Sequence, residues 1–229
     1  MQNYDMKQVI PFIVVVISFG ACNKSSTPIT LTDIDGNVYD TVSIGRQLWM
    51  KVNLKTTRYR NGDVIPGVTE TTAWDTLTTG AWCWYNNDSA TYDAAYGKLY
   101  NWFAVNDPRG LAPTGWHIPS DVDWIRLSTF LGGDLIAGGA LKEAGTTHWK
   151  TPNIGATNNS GFTGLPGGIR ATIWSFNSVD GYGHWWSSTE NNAANAGFRG
   201  LGYDVGSIGG GGGIFADKRL GYSVRCLRY

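Results

Sequence analysis

Glycine is the feature that most narrows what this chain can become. It fills 31 of the 229 positions, close to twice its ordinary share of about 7%. Glycine opens left-handed turns and close backbone approaches to the chain, and it weakens helix interiors. A bundle of long helices is therefore a poor fit, and burial must come from large side chains between the bends. Eleven tryptophans and eleven tyrosines supply it, since each such ring removes roughly 150–250 Å² from water. Bends around aromatic rings describe a turn-rich, β-rich globule rather than a nucleotide-binding α/β enzyme. The charge balance excludes two further classes. Eighteen basic and eighteen acidic residues cancel, so the basic excess of a nucleic-acid binder is missing. Charged residues make up only 16%, too few for a disordered polyelectrolyte.

The first stretch of sequence reads as an address. Residues 9–19 form an apolar run broken only by Pro11 and Ser18. A membrane-spanning helix needs about 20 apolar residues, so this run is too short to span and fits the core of a secretory signal. Phe19-Gly20-Ala21-Cys22 then resembles a bacterial lipobox, with cleavage before Cys22 and lipidation of its thiol. Either Met1 or Met6 serves as the start, and Met6-Lys7-Gln8 gives the more ordinary signal. The organisation expected is a signal over residues 1–21, a polar flexible tether over 22–30 and one domain over 31–229. The mature protein would be held at the cell envelope, on the outer membrane, by its acyl chains. With no acidic residue just after Cys22, the periplasmic and surface faces both stay open.

With Cys22 acylated, Cys83 and Cys226 remain. An oxidising compartment makes the pair a disulfide candidate. Closing a loop of about 140 residues would contribute about 4–5 kcal/mol on the loop-entropy model. Two buried free thiols packed as small hydrophobes are the alternative.

Within the domain, Asp35-Gly36 signals a hairpin turn, Gly45-Arg46 punctuates, and residues 47–54 alternate with the period of half-buried strands. Residues 56–80 read as a long irregular connection. Leu99, Trp102 and Phe103 predict a short helix over 98–105 that stops near Asp107-Pro108. Ser120 with Asp123 predicts a capping box, Trp124, Leu127 and Leu131 fall on one helical face, and Gly132-Gly133 ends the helix. Short apolar pieces follow, one containing Trp185-Trp186, and Tyr222, Val224 and Cys226 alternate in the last strand. Two early helices followed by many short antiparallel strands predict an α+β fold.

Several strings carry a resemblance. Tyr96-Gly97-Lys98-Leu99-Tyr100-Asn101-Trp102, the run Gly110-Leu111-Ala112-Pro113-Thr114-Gly115-Trp116-His117-Ile118-Pro119-Ser120, and Trp82-Cys83-Trp84-Tyr85 are among them. Leu141-Lys142-Glu143-Ala144-Gly145-Thr146-Thr147-His148-Trp149, residues 161–170, Trp186-Ser187-Ser188-Thr189-Glu190 and residues 221–226 are the others. Together they resemble the Fibrobacter succinogenes major paralogous domain, from about Asp33 to Tyr229. The resemblance implies secreted or lipid-anchored proteins, abundant in Bacteroidetes and Fibrobacteres, of uncharacterised activity. It also implies a C-type-lectin-like domain, similar to formylglycine-generating folds, in which the terminal strands pair and late loops carry the binding surface. Formylglycine-type chemistry needs neighbouring cysteines late in the chain, and only Cys226 stands there.

Catalytic signals are sparse. His117, His148 and His184 show no metal-ligand spacing, and His117, beside Trp116 and the Pro119-Ser120 cap, is expected to be buried and structural. The five glycines 209–213 lack the lysine and helix of a phosphate loop. Binding has more behind it. A sugar is held by stacking on an aromatic ring and by amides or carboxylates around its hydroxyls. The late segment offers Trp174, Trp185, Trp186, Glu190, Asn191, Asn192, Arg199, Tyr203 and Asp204 for that purpose. In a strand Trp185 and Trp186 point to opposite faces, so at least one belongs to the core. No cofactor is expected, with calcium on Glu190, Asn192 and Asp204 as the one metal alternative. The function expected is non-catalytic recognition of a glycan or protein at the envelope. The alternatives are a structural protein binding an envelope partner and an enzyme of undescribed type.

Overall fold

A computed structural model describes Met1 and residues 30–172, 176–211 and 213–229. Met6, the lipobox with Cys22, most of the tether, and Trp174 lie outside the described residues.

Turn chemistry sets the beginning of the domain. Strands β1 (Leu31–Thr32) and β2 (Val38–Tyr39) pair around Asp35-Gly36, with Gly36 at φ 85°. Strands β3 (Thr41–Ile44) and β4 (Gln47–Met50) form a second hairpin turned at Gly45-Arg46. Both follow the sequence reading. The connection after them is irregular apart from helix α1 (Thr71–Asp75). Strand β5 (Trp82–Cys83), helix α2 (Ser89–Tyr96) and strand β6 (Leu99–Tyr100) come next, with β5 and β6 paired. The helix expected over 98–105 is thereby cut. Leu99 and Tyr100 are drawn into pairing with Cys83 and Trp82, and only α3 (Trp102–Val105) is helical, capped by the Asn101 side chain.

Helix α4 (Asp121–Phe130) starts on the complete Ser120–Asp123 capping box and stops at Gly132 and Gly133, both at positive φ. Helix α5 (Asp134–Leu141) follows at once, where the sequence reading expected none. Its glycines conceal it: Gly138 and Gly139 resemble breakers, yet each marks a place where the helix lies against another backbone. A Cβ on Gly138 would overlap the Ser207 carbonyl, and one on Gly139 the Gly155 carbonyl. The described residues thus hold five α-helices before residue 167 rather than two.

Strands β7 (Gly167–Arg170), β8 (Phe176–Val179), β9 (Tyr182–Glu190), β10 (Asn195–Gly202), β11 (Ile208–Gly209) and β12 (Phe215–Asp217) build a six-stranded sheet. Its order is β11-β10-β9-β7-β8 with β12 also on β10, and only the β7–β9 pairing is parallel. Strand β13 (Leu227–Arg228) returns to β4. The fold is α+β with mainly antiparallel strands. Residues 221–227 stitch its parts together: Gly221 bridges Arg170, Tyr222 bridges Tyr100, Ser223 bridges Trp185, and Leu227 bridges His117.

The central strands are walls between cores. Trp49 and Met50, Trp185 and Trp186, and Cys226 and Leu227 each send one side chain into one cluster and its neighbour into another. Alternation in these strands therefore separates two cores, where the sequence reading expected one half-buried face. The core also holds buried cations. Lys142 Nζ donates to the carbonyls of Ile154, Gly202 and Val205 at 2.8, 2.8 and 2.7 Å. The Arg170 guanidinium donates to those of Val68, Thr69 and Glu70 at 2.6, 3.0 and 3.1 Å and lies 4.3 Å from the centre of the Trp74 ring. Arg225 donates to Asn53 Oδ1 at 3.0 Å and to the Phe162 carbonyl, with its guanidinium over the Phe162 ring at 4.1 Å.

Cys83 and Cys226 are free, buried thiols, so the disulfide candidate is corrected. They belong to different clusters, Cys83 with Trp74 and Tyr85 and Cys226 with Met50 and Val224. Burial pushes the Cys83 thiol up to about 11, with nearby Arg170 opposing, and raises Cys226 as well. Both are packed as small hydrophobes.

The tight seat of α5 gives a first test. Gly138→Ala should lower unfolding free energy by about 1–3 kcal/mol, the range for overpacking a closed interior, as read from urea midpoints. Gly145→Ala is the comparison, because a Cβ there meets no atom within 4 Å and acts through its positive φ alone.

Candidate functional site

The loop over residues 110–120 becomes one wall of a surface cleft. Its hydrogen bonds fix it to the sheet: His117 N donates to Leu227 O and Leu227 N to His117 O, both at 3.0 Å. Gly110, at φ 80°, leaves room for the Arg60 guanidinium to lie on the loop backbone. Arg60, Trp116, His117, Ser120, Asp123 and Ser188 are among the residues around a cleft of about 450 Å³. A smaller hollow of about 240 Å³ adjoins it, sharing Arg60, Leu111 and Ala112 and reaching Asp33 and Arg58.

On the other side of Tyr229 lies a larger groove of about 620 Å³. It runs between the β3–β4 turn and α4, lined by Ile44, Gly45, Arg46, Gln47, Arg126, Phe130 and Tyr229. Tyr229 joins the two hollows. Its ring stacks on His117 with centroids 5.8 Å apart, and its hydroxyl donates to Asp123 while accepting from Arg126. Phe130 packs its ring edge on Gly45, where φ is 60° and a Cβ would crowd it. Phe130 and Tyr229 are 63% exposed each, and the Arg126 guanidinium lies over the Tyr229 ring at 5.5 Å.

Asp123 is the electrostatic anchor between the hollows. Burial opposes its ionisation, but hydrogen bonds from Tyr229 and Ser120 and the nearby His117 outweigh it and hold the carboxyl below the usual range. His117 Nε2 lies 3.5 Å from Asp123 Oδ2. The Ser120 hydroxyl donates to Asp123 at 2.7 Å, so it is engaged by the carboxylate and not by the imidazole. His117, expected to be buried, is instead 43% exposed, because Trp116 and Ile118 turn inward on either side of it.

The late segment is not gathered into a site. Trp185 and Trp186 are both fully buried, their indole N–H groups donating to Asn53 Oδ1 at 2.8 Å and Tyr100 O at 2.7 Å. Arg199 is buried on Asp121 at 3.0 Å. Asn192 Oδ1 accepts from the backbone N–H groups of Ala194 and Asn195, which makes it a turn former, and Asn191 is exposed beside it. Glu190 pairs with Lys218. Tyr203 packs on the core, and Asp204 accepts from Tyr182 at 3.0 Å. Calcium is excluded at this place by register. Glu190 lies opposite Ala196 at one end of the β9–β10 hairpin, whereas Asp204 lies beyond the Gly202–Tyr182 pair at the other. Six or more strand residues at about 3.3 Å each separate them by about 20 Å, far outside one coordination sphere. Among the described residues, no three His, Cys, Asp or Glu side chains are grouped to hold a metal.

The family model described as the Fibrobacter succinogenes major domain matches residues 42–228. The chain belongs to that family. No curated protein and no solved structure matches the chain. In this Fibrobacter succinogenes major domain, the string over 110–120 shapes the cleft. The strings over 141–145, 161–170 and 221–226 instead carry the buried cations Lys142, Arg170 and Arg225.

Sequence reasoning missed Arg46, Arg60, Arg126, Phe130 and Tyr229. One signal was available for Phe130. It follows the Trp124, Leu127, Leu131 stripe but falls off that face, and a large apolar ring on the outer face of a well-capped helix has no core to fill.

The histidines yield a pH prediction. His184 stacks on Tyr222 with centroids 5.1 Å apart, and its Nδ1 is enclosed with no partner among the described residues. Burial pulls its pKa to about 4, below the unfolded value of about 6.5. The unfolded chain then binds the extra proton, so stability is full above about pH 6.5 and is lost as pH falls toward 4. Urea midpoints at pH 7, 5.5 and 4.5 should fall for the natural chain, and His184→Phe should flatten that fall.

Proposed function

We propose that this chain is a lipid-anchored binding module of the cell envelope that recognises a glycan without altering it chemically. The observation that carries the reading is the pair of exposed aromatic residues, Phe130 and Tyr229, beside Arg46 and Arg126 in one groove. An open ring presents a flat apolar face to the C–H side of a sugar, and guanidinium donors reach the hydroxyls at its rim. Three buried groups whose pKa values are lowered support a binding role in a different way. Lys142, Arg225 and His184 lie in the interior, away from both hollows, where burial draws Lys142 to about 8 and Arg225 to about 9. We place the domain in the C-type-lectin-like class, on the return of β13 to the early β4 strand and the helices before the main sheet. The binding surface then differs from the late loops that the class suggests.

A second reading has its own observation. Val122, Ile125, Leu135 and Ile136 are between 51% and 85% exposed on α4 and α5, an apolar surface of the kind that marks a protein partner. That reading is the structural or assembly role at the envelope. An enzyme of undescribed type remains the third.

Two measurements test the proposal. A glycan-array screen of the full chain in detergent should show specific binding, lost at least tenfold in Tyr229→Ala and Phe130→Ala variants that melt within a few degrees of the natural protein. A blank on folded protein favours the protein-partner reading. Separately, expression with an alkyne-tagged fatty acid should label the natural chain and fractionate it with the outer membrane. Cys22→Ser should abolish the label. A natural chain that stays unlabelled would remove the anchor from the reading. No helix among the described residues is long and apolar enough to cross a membrane.

A further inference from the structure

We infer that the groove selects an acidic glycan, one bearing carboxylate or sulfate groups, through Arg46 and Arg126. The inference rests on the glycan-binding reading above and adds the charge of the ligand to it.

The argument is a census of arginines. The chain has ten. Four face an aspartate: Arg58 on Asp35 at 3.3 Å, Arg109 on Asp107 at 2.8 Å, Arg199 on Asp121 at 3.0 Å and Arg219 on Asp217 at 2.5 Å. Arg170 and Arg225 are buried against carbonyl oxygens. The remaining four, Arg46, Arg60, Arg126 and Arg228, all lie at the two hollows or directly behind them. Arg46 lines the larger groove and Arg60 the cleft, and Arg228 stacks behind the cleft on Trp116 at 5.5 Å. Arg46, Arg60 and Arg228 have no ion-pair partner among the described residues. Arg126 has one carboxylate near it, Asp123 at 3.8 Å, which is only 7% exposed and already accepts from Ser120 and Tyr229. Arg126 itself is 59% exposed.

A chain with no net charge has therefore set Arg46 and Arg60, which have no ion-pair partner among the described residues, and Arg126, whose one carboxylate is already engaged, around aromatic-lined hollows. A guanidinium presents a planar fork that fits carboxylate and sulfate oxygens in pairs, while Phe130 and Tyr229 supply the flat apolar contact a sugar ring requires. Rings between cations match a polymer that alternates apolar ring faces with anionic groups.

The test is calorimetric titration of the full chain in detergent with five probes. These are oligogalacturonate, the same oligomer after carboxyl reduction, sulfated dextran beside neutral dextran of equal length, and a 20-nucleotide oligothymidylate. Binding to oligogalacturonate or sulfated dextran is expected to exceed its neutral counterpart at least tenfold and to weaken with salt. Whichever anionic arm binds identifies the group recognised. Arg46→Gln with Arg126→Gln should lose at least tenfold in affinity with an unchanged melting temperature. Arg46→Glu alone, on the exposed turn, should weaken binding further than Arg46→Gln, and Lys150→Gln should leave it unchanged. Equal binding of neutral and acidic oligomers, or full affinity in the double variant, would overturn the charge selection and leave the glycan reading standing. Oligothymidylate bound as tightly as the glycans would overturn it in favour of unselective polyanion binding. No carbohydrate bound at all would overturn the glycan reading and this inference together.

Discussion

Arg225 carries its charge into the centre of the protein, where the Asn53 side chain and the carbonyls of Phe162 and Thr163 face it. A buried cation without partners is among the costliest features a fold can hold, so the chain segments that supply those oxygens have to stand where they do. The same reasoning applies at Lys142 and Arg170. Each binds carbonyls of segments with little regular structure, around Ile154 and Val205 for one and over residues 68–70 for the other. Glycine-rich loops have little to define them locally. Here a central cation with several donors defines them from within.

Tryptophan does the complementary part of the work. Rings from neighbouring positions enter separate cores, and most of their N–H groups find a carbonyl or an amide oxygen, as Trp102 does on Ser187 at 2.9 Å and Trp149 on Gly164 at 3.0 Å. Indoles therefore cross-link strands and loops at both ends, by burial and by hydrogen bond. This explains why an aromatic-rich late segment was a misleading sign of a ligand site. Trp185 and Trp186 are the partition between cores, and a ligand could reach neither without unfolding the sheet.

The legible parts of the sequence were those governed by local chemistry. The Asp35-Gly36 turn, the Ser120–Asp123 capping box and the Gly132-Gly133 stop need only their neighbours, and each forms as read. Helix α5 was hidden because Gly138 and Gly139 answer to backbones far along the chain, Ser207 and Gly155. The groove was hidden for a related reason. Arg46, Arg126 and Tyr229 come from a turn, a helix and the last strand region, and no spacing in sequence announces that they meet. The family strings pointed to one wall of the site, yet most of them mark buried charge.

Residues 221–227 touch β4, β6, β7, β9 and the loop at His117, all made earlier in the chain. Until that segment leaves the ribosome, the sheets lack their shared strand and Arg225 is absent from the site its oxygens surround. Contacts of such long sequence separation close late in folding, so the sheets wait on this segment. One short segment is thereby the common seam of two cores, with Cys226 in one and Leu227 in the other, and loosening it would open both together.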